Sequence, residues 1–134
     1  MTETTQELKH TALHAQHAEL GANFTDFGGW DMPLKYGSEL AEHKAVRSTA
    51  GLFDLSHMGE VYLSGPQAGT ALNTALAGNF TIMKVGKAKY SLILNDEGKI
   101  IDDLIVYRLE EEKYLVVPNA GNADVVAAAL EERA

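Results

Sequence analysis

Two adjacent aspartates, Asp102 and Asp103, stand inside the most strand-like stretch of the chain, residues 100–109, IIDDLIVYRL. Neighbours along a strand point to opposite faces, so the two carboxylates part company. Asp103 alternates with Ile101, Ile105, Tyr107 and Leu109, a face with no other charge. Asp102 alternates with Ile100, Leu104, Val106 and Arg108, where the arginine offers a partner and a route to solvent. A carboxylate on an apolar face is costly unless something compensates it, which makes Asp103 the first candidate for acid–base chemistry. A hairpin partner strand carrying Tyr90 would complete an aromatic-lined carboxylate with Tyr107. A centred two- or four-residue turn puts Leu92 opposite Asp103, with Tyr90 diagonally on the same side. A three-residue loop with Gly98 in the left-handed region sends Tyr90 to the other face. The bland alternative is an aspartate at a strand bulge or bonded to backbone amides.

Other polar clusters carry less. Asp54, Ser56 and His57 have the residue types of a catalytic triad, but so short a segment aims them in different directions, and no nucleophile elbow is present. His57 reads as a hydrogen-bonded structural histidine, and Asp54 as the brace of a turn. His10, His14 and His17 lie at helical spacings. With no carboxylate or cysteine pattern around them, a solvated helix face is expected rather than a metal site. Residues 26–33, DFGGWDMP, read as a buried aromatic turn with glycines for close backbone approach. No glycine-rich phosphate loop appears.

Composition bounds the function. The 134 residues make one domain or slightly more, and 46% hydrophobic content suits a globular core. Lys and Arg number 11 against 19 Asp and Glu, a net charge of −8, which argues against nucleic acid or anionic membrane as partner. The chain has no Cys, excluding disulfides, thiolate metal sites and a Cys nucleophile. The acidic start resembles neither a secretory nor a transit peptide, so a cytoplasmic setting is expected.

The elements that must position these groups follow from caps and periodicity. Residues 11–20 read as a helix with Thr11 as N-cap and Gly21 past its end. Residues 23–37 are too rich in glycine and aromatics for tidy strands. Ser38 caps a second helix to about residue 50, where Gly51 stops it. Then come a strand at 58–63, a helix opened by Pro66, a hairpin of 90–95 with 100–109, a strand at 114–117, and a helix from about Asn122. Pro118 implies that the 114–117 strand ends early or lies at an edge. This order predicts an α+β fold, an antiparallel sheet with helices packed on one face. The uncapped ending at residues 130–134 reads as an interruption, so the chain is expected to be a fragment.

Taken together, residues 20–22 (LGA), 26–33 (DFGGWDMP), 42–47 (EHKAVR), 51–60 (GLFDLSHMGE), 86–91 (GKAKYS) and 100–107 (IIDDLIVY) resemble, in order and at near-family spacing, the amino-terminal third of the glycine cleavage system T-protein family. These are tetrahydrofolate-dependent aminomethyltransferases. The resemblance implies three lobes around a folate channel. Of these the chain would hold residues 1–50, an incomplete segment of the first lobe, and residues 51–134, a folate-binding lobe lacking its closing strand. It implies Asp103 as the catalytic carboxylate and Met58, Tyr90, Ile105 and Tyr107 as pterin-pocket residues. The implied co-substrate is tetrahydrofolate and the implied partner is the lipoyl-bearing H-protein. A non-catalytic folate-binding or assembly module of the same fold is the alternative.

Overall fold

The computed structural model describes residues 7–134 and divides the chain into two compact units, one ending at His57 and the other beginning at Met58.

The first unit is built on a hairpin. Strand β1 (Asn23–Phe27) pairs antiparallel with β2 (Trp30–Lys35), with Phe27 opposite Trp30. The two residues between them, Gly28 and Gly29, have φ of 61° and 85°. Both central positions of a type I′ turn need positive φ, and its twist matches that of the flanking strands. The Asp26 carboxylate accepts the Gly29 N–H at 2.9 Å. The expectation of an irregular 23–37 stretch is therefore corrected: the glycine pair that argued against strands is the turn that joins them. Pro33 is tolerated because a two-stranded sheet is all edge.

Helix α1 (His14–Glu19) is shorter than expected, with Leu13 rather than Thr11 at the cap position. Thr11 is instead buried, and its hydroxyl donates to Asp54 at 2.8 Å. Gly21, at φ 77°, ends the helix as its type suggests. Helix α2 (Glu39–Ser48) starts at Ser38, whose Oγ accepts from the Ala41 N–H at 3.3 Å.

The second unit matches the predicted order. Its elements are β3 (Val61–Ser64), α3 (Ala68–Ala75), β4 (Ala88–Leu94), β5 (Ile100–Glu110), β6 (Lys113–Val117) and α4 (Ala123–Arg133), the last entered through a 3₁₀ turn at Ala120–Asn122. The four strands form one antiparallel sheet in the order β3-β6-β5-β4. Both helices cover the same face. Leu72 of α3 and Val126 and Leu130 of α4 join Phe80, Ile93, Leu104, Val106, Tyr114 and Val116 in a single buried cluster. Pro118 does end β6 at Val117, but that strand is interior, between β3 and β5, and not at an edge. A proline just past the last ladder position removes no hydrogen bond from the sheet.

The chain crosses the end of β6 at Gly59, whose N–H donates to the Pro118 carbonyl at 3.3 Å. A methyl group on Gly59 would come within 2.7 Å of Ala123 Cβ and 2.8 Å of Pro118 Cγ. We expect Gly59→Ala to cost about 1–3 kcal/mol of stability by overpacking, read from the urea midpoint of the purified chain.

Candidate functional site

The aspartate pair sits where β5 departs from regular alternation. Around the turn, the Asn95 N–H donates to the Lys99 carbonyl at 2.9 Å, Gly98 takes φ 77°, and Leu94 pairs with Ile100. Continued unbroken, that register would put Tyr90 opposite Leu104, on the core face. The ladder instead shifts by one residue between Ile93 and Leu94, so Ile93 pairs with Asp102, Leu92 with Asp103 and Tyr90 with Ile105. Ile101 is the extra residue. It packs against the core cluster beside buried Asp102, while Ile100 is exposed. Two consecutive side chains on one face are what a bulge produces. The structure thus combines the two turn readings: Gly98 is left-handed as in the three-residue loop, and the bulge restores the parity that brings Tyr90 beside Asp103.

The environments of the two carboxylates are the reverse of the sequence expectation. Asp102 faces the core at 4% exposure, and Arg108 is not its partner. The Arg108 guanidinium donates to the carbonyls of Met83 (2.5 Å), Thr81 (3.2 Å) and Glu111 (2.6 Å). Asp102 accepts instead from the Asn119 backbone N–H (2.9 Å), Asn119 Nδ2 (3.0 Å) and Asn122 Nδ2 (2.9 Å). Asp103 points to the uncovered face of the sheet. Its Oδ2 accepts from the Tyr90 hydroxyl at 2.5 Å, and its Oδ1 from Asn119 Nδ2 at 3.0 Å. The hydrogen bond to Asp103 and the nearby carboxylates of Asp103 and Asp102 raise the Tyr90 phenol above its ordinary value, so it remains a donor.

Around Asp103 the uncovered face is apolar and aromatic. Ile105 lies opposite both Tyr90 and Val117, and Tyr107 lies opposite Ala88 and Leu115. Tyr90, Ile105 and Tyr107 are all exposed. The face therefore offers flat, apolar area with one carboxylate and one phenol at its end, an arrangement suited to a planar ring bearing ionisable nitrogens. Met58 is half-buried next to the Gly59–Pro118 crossing, at the same end of β6 as Asn119, and stands outside this hydrogen-bonded group.

Residues 13–134 match the family model of the GCVT N-terminal domain. The chain belongs to this family. It is 63% identical to an aminomethyltransferase of Corynebacterium aurimucosum over 125 residues, 93% of this chain and 34% of that protein. An aminomethyltransferase of Streptomyces coelicolor is 62% identical over 128 residues, 96% of this chain and 34% of the relative. The crystal structure of glycine cleavage system aminomethyltransferase T from Bartonella henselae superposes with a TM-score of 0.91 at 44% identity, covering 94% of this chain and 35% of that one. The GCVT N-terminal domain described here thus spans about a third of the length of these relatives.

Sequence reasoning missed Asn119 and Asn122 as site residues. Asn119 bonds both carboxylates, and Asn122, whose place in the sequence suggests only a helix start, bonds Asp102. Their signal was a pair of amides within four residues of a strand-ending proline, in a sequence with two adjacent acids to satisfy. The first unit holds a second polar group. Asp54 accepts from Thr11, His17 (2.8 Å) and the backbone and hydroxyl of Ser56, and His17 Nδ1 bonds the Tyr36 hydroxyl at 2.7 Å. Burial raises the pKa of Asp54, but these hydrogen bonds outweigh it and hold the carboxyl far below its usual range. Asp54 does brace a turn, as expected. His57 is buried with Nδ1 unpartnered, its ring edge-on to Phe27 at 5.5 Å, which corrects the expectation of a hydrogen-bonded histidine. Beside this group runs an apolar groove of about 600 Å³ that includes Phe27, Met32, Val46 and Phe53. No described helix is long and apolar enough to cross a membrane.

The Tyr90–Asp103 bond has a spectroscopic consequence. In Asp103→Asn the Tyr90 phenol loses the negatively charged acceptor that raises its pKa, so its alkaline ultraviolet titration should move to lower pH. The Tyr90→Phe variant identifies which of the five tyrosines is responsible. An unmoved midpoint would show that the bond does not form in solution.

Proposed function

We propose that this chain supplies the catalytic carboxylate and part of the pterin wall of a tetrahydrofolate-dependent aminomethyltransferase of the glycine cleavage system. The observation that carries this reading is the placement of Asp103. It is the carboxylate of an otherwise apolar, aromatic sheet face, held by Tyr90 and Asn119, in a chain whose close relatives are named aminomethyltransferases.

The reaction transfers one methylene carbon from an aminomethyl thioether on the lipoyl arm of the H-protein. Two nitrogens of tetrahydrofolate each form a bond to that carbon, and its bonds to the amine nitrogen and to sulfur break. The two folate N–H protons balance the products, one ending on ammonia and the other on the dihydrolipoyl thiol. A carboxylate beside the folate nitrogens takes a proton as each nitrogen becomes bonded to carbon and returns it to the leaving group. Asp103 has an oxygen for that exchange while Tyr90 and Asn119 fix the carboxylate plane. Ile105, Tyr107 and Met58 supply the apolar and polarisable area against which a pterin stacks.

Asp103→Asn in the complete protein should fold normally and lose methylenetetrahydrofolate formation by about 10²-fold or more, measured with aminomethylated H-protein as donor. Turnover near that of the parent protein would reject Asp103 as the acid–base group. Calorimetric titration of tetrahydrofolate into this chain should show weaker binding than to the complete protein, because part of the pocket wall is missing.

A further inference from the structure

The three histidines near the start of the chain are not a solvated helix face. His17 is buried against Asp54 and Tyr36, and His10 lies outside α1 altogether. His10 and His14 come together around Asp31 of β2, a carboxylate distant in sequence that helical spacing could not reveal. His14 Nε2 is 2.9 Å and His10 Nε2 is 3.8 Å from Asp31 Oδ2, and the three ligand atoms lie within 4.8 Å of one another.

We infer that His10, His14 and Asp31 form a binding site for a divalent transition metal of the zinc type, with its remaining positions open to water or an external ligand. Zinc bonds imidazole nitrogen and carboxylate oxygen at about 2.0–2.2 Å, which sets neighbouring ligand atoms about 3–3.5 Å apart, and the two spacings found here bracket that range. The donor set, two imidazoles and one carboxylate, is that of borderline metals and not of Mg²⁺ or Ca²⁺.

The frame is already built. The Lys9 N–H donates to the Gly29 carbonyl and the Asp31 N–H to the Lys9 carbonyl, both at 2.9 Å, so the backbones on either side of the site are locked together. The His14 ring is sandwiched between Phe24, at 4.5 Å, and the parallel ring of His10, at 3.7 Å. That packing aims Nε2 of His14 at Asp31. Metal would replace the proton of the His14–Asp31 hydrogen bond with small rotations of both groups, and His10, whose side chain is 56% exposed, has room to turn its lone pair toward them. Bound metal would cross-link the segment before α1 to both α1 and the hairpin, stabilising that unit by mass action.

Zinc chloride titrated into the tag-free 134-residue chain near neutral pH tests this by calorimetry. The expected result is a single saturable site of micromolar affinity, weakened at least roughly tenfold in His10→Ala and in Asp31→Asn and unchanged in His43→Ala, an exposed histidine on α2. His10→Ala alters an exposed ring, so it keeps the fold even if Asp31→Asn does not. Nitrogen-15 spectra of the imidazoles should show zinc-dependent shifts at Nε2 of His10 and His14 but not of His17. No saturable binding, binding indifferent to His10→Ala, or shifts confined to other histidines would overturn the assignment.

Discussion

A buried carboxylate that must be satisfied governs the second unit. Asp102 lies among Leu104, Val106 and Val116 in the covered half of the sheet, where an unpaired carboxylate would cost several kcal/mol. Its three donors come from the residues that leave β6 and enter α4. Satisfying that one group therefore fixes the exit of β6, the 3₁₀ turn and the start of the last helix. The same Asn119 amide reaches over to Asp103 on the far face of β5. The buried aspartate thus holds the arm that orients the exposed one. The orientation of the Asp103 carboxylate on the uncovered side is tied to the satisfaction of a buried charge on the covered side.

Strand parity correctly separated the two aspartates but misjudged their surroundings. Alternation cannot say which face of a sheet the helices cover, because both faces of β5 are apolar. Arg108 looked like a route to solvent, yet a long side chain can lie along the core edge and reach backbone carbonyls, as it does at Met83 and Glu111. The bulge was equally hidden. Nothing in Ile100-Ile101 marks which isoleucine turns inward, since either fits either face. The order of elements in the second unit was legible throughout, because caps, turn residues and periodicity agree there.

The first unit was harder to read because its information is long-range. Gly28-Gly29 is both a poor strand sequence and an ideal type I′ turn, and only the pairing of Phe27 with Trp30 decides between them. The histidines have the same difficulty. Their spacing describes a helix, but their partners, Asp31 and Asp54, arrive from later in the chain. Local pattern can propose that a histidine is exposed. It cannot see the carboxylate that buries or pairs it.

The Gly98 loop and the Ile101 bulge constrain the length of this hairpin together. Each contributes one residue of offset, and the offsets cancel. A lone insertion or deletion in either place would turn Tyr90 and everything before it in β4 to the wrong side. A compensating change at the other place would turn them back. The turn and the bulge are therefore coupled in length, a one-residue change in one keeping Tyr90 outward only with a one-residue change in the other. The outward face of the hairpin is preserved by arithmetic of chain length as much as by the identity of any side chain on it.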